Sequence, residues 1–211
     1  MIASSSKRII PVLLWSLVIV AGAYFVFKYI PHYFIFTEQS YTTYLWPRHN
    51  WLFLHVMCGL VATVIGPFHF IQQIRKKNIG VHRLLGRIYL ISILFGAPAG
   101  FYMALISQVN YVYTVGLCGL AFVWFFTSLM AYISIRRHNT LLHREWMLRS
   151  YVVTFAFTLF RLGDEGLQAL HVGPDDMRAT LLSWACWSIP LFITEMVLLF
   201  RKLFKSKVVI V

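Results

Sequence analysis

Long apolar runs alternate with short polar connections along the chain, and the runs have a common length. A bilayer core about 30 Å thick takes roughly 20 residues of helix at 1.5 Å each, because amides in hydrocarbon must find partners within their own segment. Six runs meet that length, at about 9–27, 51–74, 84–106, 111–135, 143–162 and 181–200. The fifth is the weakest, since Arg149 interrupts it. The pattern predicts an all-α fold, a polytopic transmembrane bundle of about six helices forming a single membrane domain over residues 1–211. Segment 28–50 is aromatic and polar, and suits an outer loop with a short interfacial helix. The first run also resembles a signal peptide, with Lys7 and Arg8 before it and Ala21-Gly22-Ala23 as a small-residue site. Its unbroken continuation to Phe27 favours an uncleaved anchor.

Charge sets the expected orientation. One set of connections carries Lys7 and Arg8, then Arg75, Lys76, Lys77 and Arg83, then Arg136, Arg137 and Arg144, then Arg201, Lys202, Lys205 and Lys207. The opposite set carries Lys28 and Arg48, no basic residue in 107–110, and Arg178 beside Asp164, Glu165, Asp175 and Asp176. Because Lys and Arg accumulate in cytoplasmic loops, both termini are predicted inside. The net charge of +12 thus belongs to membrane flanks, in a chain that is 59% hydrophobic and only 12% charged. No zinc-knuckle spacing or ribonucleoprotein motif supports a nucleic-acid partner. Cys58, Cys118 and Cys186 fall singly inside apolar runs and read as small core residues.

The sharpest chemical pattern lies in the second run. His55 and His69 are fourteen residues apart, which on an α-helix places them about 40° from alignment and roughly 21 Å apart. Gly59, Ala62 and Gly66 lie between them on the same face. A groove with an imidazole at each end suits a b-type haem, which needs an axial histidine and small neighbours, and resembles the spacing of two-haem membrane cytochromes. The same stripe serves equally as a small-residue packing seam. A second axial ligand at the inner level comes from His143 or His82, opposite His69. At the outer level only the loop residues His32, His49 and His171 could face His55. His82 and His143 sit in basic clusters that also suit anionic lipid phosphates.

Arg87, Arg149 and Glu195 define a polar layer at the depth of His69, each on the order of 8 to 9 Å from the inner ends. Charges in hydrocarbon cost at least about 2.5 kcal/mol each, so they should pair, Glu195 with Arg149 or Arg87. Such a layer can hold haem propionates, a quinone head group or a relayed proton, or can simply lock helices together. No nucleophile elbow, HExxH or P-loop is present, so no enzyme class is assigned.

Several strings together carry a resemblance: His55, Gly66-Pro67-Phe68, Arg75, His82-Arg83-Leu84-Leu85-Gly86-Arg87-Ile88-Tyr89, His143-Arg144-Glu145-Trp146-Met147-Leu148-Arg149-Ser150-Tyr151, and Trp187 through Pro190 to Glu195. Over about residues 45–200 the sequence resembles the bacterial membrane proteins grouped as domain of unknown function 2306. The resemblance implies a polytopic protein of the bacterial cytoplasmic (inner) membrane, without an established activity. It also implies that His55, His82 and His143 fit the family pattern while His69 departs from it, glutamine being frequent at that position. The expected function is a membrane redox protein, haem-bearing or quinone-linked. The alternatives are a proton-coupled small-solute transporter titrating Glu195, and a non-catalytic subunit binding lipid or a partner through the basic clusters.

Overall fold

The computed structural model describes residues 3–206, with side chains from residue 13 onward apart from those of residues 42, 73, 205 and 206. The basic side chains of Lys7, Arg8 and Lys205, and the whole of Lys207, lie outside what is described. The described residues are helical with short connections and contain no strand. Among the described residues, five helical stretches are long and apolar enough to cross a membrane: Leu13–Phe34, Thr43–Phe70, Ile79–Leu105, Tyr111–Arg136 and Asp175–Phe204. The chain divides into two compact units between Pro47 and Arg48.

In the first unit, α1 (Ala3–Tyr29) leads through a 3-10 turn, Pro31–Phe34, into α2 (Glu38–Leu45). Thr37 starts α2 by accepting the N–H of Ser40 on its hydroxyl, which satisfies one of the amides a helix start leaves open. A short helix, α2, thus lies within segment 28–50. Its anchor is Tyr41, which is buried, donates to the Tyr33 carbonyl and stacks on Phe36.

The second unit contains α3 (His49–Ile65), a 3-10 segment Gly66–Phe70, α4 (Gln72–Lys77), α5 (Ile79–Leu105), α6 (Tyr111–Arg136), α7 (Thr140–Thr154), α8 (Ala156–Ala169) and α9 (Asp175–Ser206). The second apolar run is thus not one helix. Pro67 at the start of the 3-10 segment has no N–H to give to the preceding turn, so the α-helix stops and the chain tightens. Ten α steps and four 3-10 steps still leave His69 roughly 23 Å along from His55 and about 40° round, now on the other side of exact alignment. α4 then reverses the chain and starts α5.

The fifth run also differs from a single span. It forms α7 and α8, of 15 and 14 residues, with a turn at Phe155. No Pro or Gly sits there. Thr154 instead donates its hydroxyl to the Ser150 carbonyl, a back-bond of the kind that bends helices. Pro98 and Pro190 stay inside α5 and α9.

Small residues let the helices approach. Ala62 of α3 and Ala97 and Ala99 of α5 are fully or almost fully buried. A methyl on Gly96 would stand 2.7 Å from Cys58 Cβ, so α3 and α5 meet there at nearly backbone distance. Side chains of Ser183 and Trp184 from α9 fill the space over Gly116 of α6 in the same way. Asn110 and Asn139 cap α6 and α7 by accepting from Tyr113 and Leu142.

Candidate functional site

Three of the four predicted histidines lie at the end of the bundle where the basic connections gather. The reversal through α4 sets the His82 ring edge-on to that of His69, with centroids 5.5 Å apart. The Tyr89 ring, two turns further along α5, packs edge-on against His69 at 5.4 Å. His143, at the start of α7, is near enough to interact electrostatically with both His69 and His82. Gly86 leaves room beside this cluster, since a Cβ there would lie 3.6 Å from the His69 ring.

The nitrogens of the cluster are unevenly used. His143 donates Nδ1–H to the Ala131 carbonyl at 2.8 Å, which fixes the tautomer and leaves Nε2 with its lone pair. His69 Nε2 and His82 Nδ1 are both shielded and have no hydrogen-bond partner. Buried polar atoms are rarely left so, and a site where two coincide calls for a ligand, an ion or water. Among the described residues, no three His, Cys, Asp or Glu side chains converge to hold a bare metal ion.

His55 stands apart from this cluster, toward the opposite end of α3. It donates Nδ1–H to the Gly96 carbonyl at 2.8 Å, and its ring sits over Gly100 between the Trp124 and Phe157 rings. The small-residue stripe between His55 and His69 is filled at its His69 end, where the Tyr151 ring covers Gly66, and is open at Gly59.

The polar layer resolves into one pair and one outlier. Arg149, only 9% exposed, grips Glu195 with a two-point fork, Nε to Oε1 and Nη2 to Oε2 at 2.8 Å. Glu145 adds Oε2 at 3.7 Å from Arg149 Nη1 and accepts from Lys202 at 2.8 Å, so the pairing of α7 with α9 runs through four charges. Arg87 is exposed and takes no part in it. Tyr89 is buried and two residues away, about 200° round the helix, so Arg87 must face outward.

Residues 52–198 match the family described as Predicted membrane protein (DUF2306). The chain belongs to that family. In this DUF2306 protein two of the strings that carry the likeness begin in the first turns of α5 and α7, and so place His82 and His143 near the starts of those helices. A 43-residue stretch is 40% identical to Ava biosynthesis cluster protein G of Aspergillus versicolor. That stretch covers 20% of this chain and 13% of the fungal protein. No solved structure matches.

The DUF2306 strings also contain a feature that residue spacing does not disclose. Tyr89 of α5 meets Ser150 Oγ at 2.8 Å and Thr154 Oγ1 at 2.9 Å, both on α7. Trp124 of α6 donates to Thr154, and Ser128 of α6 meets Ser150. With the back-bonds of Ser128 and Thr154, five hydrogens are shared among six contacts, so at any moment at least one contact of the hub lacks a hydrogen. The hub ties three helices together directly behind His69. Tyr89→Phe should destabilise by about 1 kcal/mol, measured as thermal unfolding in detergent, because Ser150 and Thr154 keep other partners.

Proposed function

We propose that the protein is a membrane electron carrier with one b-type haem at the basic end, which His143 and one of His69 and His82 would hold. The observation that carries this reading is the ring contact of His69 with His82, each with a shielded and unpartnered nitrogen, within electrostatic reach of His143. His69 and His82 are in direct ring contact, so His143 with one of them, and not these two together, would hold the haem. The Nδ1 bond of His143 to a carbonyl is the outer support that orients a ligating imidazole. A porphyrin supplies four nitrogens itself and asks the protein for only one or two, a number these histidines could provide. Bound haem would supply one-electron exchange between Fe(II) and Fe(III).

One haem is proposed, not two. The His55 ring is edge-on to Trp124 and Phe157, lies against Gly100, and gives Nδ1–H to Gly96, so it is already packed within the bundle. A transporter that cycled a proton on Glu195 would first have to break a two-point bond to Arg149. The test is a visible spectrum of the protein purified from haem-replete cells. A Soret band that shifts on dithionite reduction, collapses in His143→Ala and persists in His55→Ala is expected. A colourless preparation would end the proposal.

A further inference from the structure

We infer that Trp146 and Arg149 form a second site, which takes the carbonyl oxygen of a lipid-soluble ligand of the quinone class. The choice of a quinone among carbonyl ligands rests on the redox reading above; the site itself rests on separate observations.

Two neighbouring donors on α7 lack acceptors. Arg149 spends Nε and Nη2 on Glu195, but Nη1 makes no hydrogen bond. Glu145 Oε2, at 3.7 Å, is beyond hydrogen-bond reach and is already held by Lys202. The guanidinium lies 4.6 Å over the Trp146 ring, and Trp146 Nε1 is also shielded and unpartnered. The indoles of Trp124, Trp184 and Trp187 all donate. An orphaned donor pair in a membrane protein is costly unless an acceptor visits it.

The surroundings select the acceptor. Arg149 and Lys202 are balanced by Glu145 and Glu195, so the cluster is formally neutral and favours an uncharged oxygen over a phosphate. Phe192 and Leu199, on the same face of α9 as Glu195, are 66% and 49% exposed, so the opening looks toward hydrocarbon. Entry requires the Trp146 ring to turn aside, since both nitrogens are covered in the resting packing. His143 lies three residues before Trp146 and six before Arg149 on the same helix, about 9 Å from Arg149 along its axis.

The experiment is equilibrium binding of a radiolabelled short-chain benzoquinone to the full chain in phosphatidylcholine nanodiscs. Saturable binding is expected, weakened about tenfold by Trp146→Phe, which removes the N–H and keeps an aromatic, though smaller, ring beside Arg149. Arg149→Lys, which keeps the charge but loses the fork, should weaken it as well. The Soret band should survive Trp146→Phe, and quinone binding should survive His143→Ala, so haem and quinone can fail separately. Wild-type affinity in Trp146→Phe, absence of saturable binding, or displacement of the quinone by added phosphatidylglycerol would overturn the inference.

Discussion

Arg149→Leu is expected to lower stability by about 2–3 kcal/mol and to shorten the life of the folded protein in detergent. Removing one partner of a buried ion pair typically costs about 3–5 kcal/mol, because the other charge stays behind without compensation. The figure here is lower because the Glu195 side chain is 46% exposed and retains Lys202 in its field. The double change Arg149→Leu with Glu195→Leu should recover most of the loss, since two apolar groups replace a pair rather than stranding half of it. Thermal unfolding of the two variants separates these cases. Equal losses in the single and double variants would show that Arg149 stabilises through its packing on Trp146 and not through its charge.

Gly66→Ala should cost on the order of 2–3 kcal/mol and disturb the histidine cluster as well. A methyl there collides with the Tyr151 ring, which is itself pinned between Phe70 and Phe155 with centroids at 5.8 and 6.3 Å. The easier adjustment is a shift of the 3-10 segment, and His69 is three residues along it. The expected result is a lower unfolding temperature together with a weakened Soret band. Pairing Gly66→Ala with Tyr151→Leu should restore much of both by making room.

The apolar runs were legible because a helix satisfies its backbone groups within its own segment, and the first, fourth and sixth fall within the single helices α1, α6 and α9, while the second and fifth are each broken. Pro67 accounts for the break in the second. One absent N–H turned the end of the second run into a 3-10 segment and a separate α4, and this reversal puts His82 against His69 although they are thirteen residues apart. Counting depth from the basic ends found the partnership of Arg149 with Glu195, since depth alone brings two helices to the same level. Depth says nothing of azimuth, and so Arg87 was counted in a layer that it faces away from.

The hub of Tyr89, Ser128, Ser150 and Thr154 left no trace in spacing for a different reason. Hydroxyls in membrane helices satisfy themselves on their own backbone, as Ser128 and Thr154 do here, so nothing in one helix shows which of them also reaches another. The orphaned nitrogens of His69, His82 and Trp146 are likewise visible only once neighbours are known not to reach them.

The measurement that bears most directly on the histidine cluster is haem content, by pyridine haemochrome assay against protein mass from quantitative amino-acid analysis. About one b-type haem per chain is predicted, lost in His143→Ala and kept in His55→Ala. No haem from cells supplied with it, or two haems per chain, would contradict a single ligating cluster at the basic end.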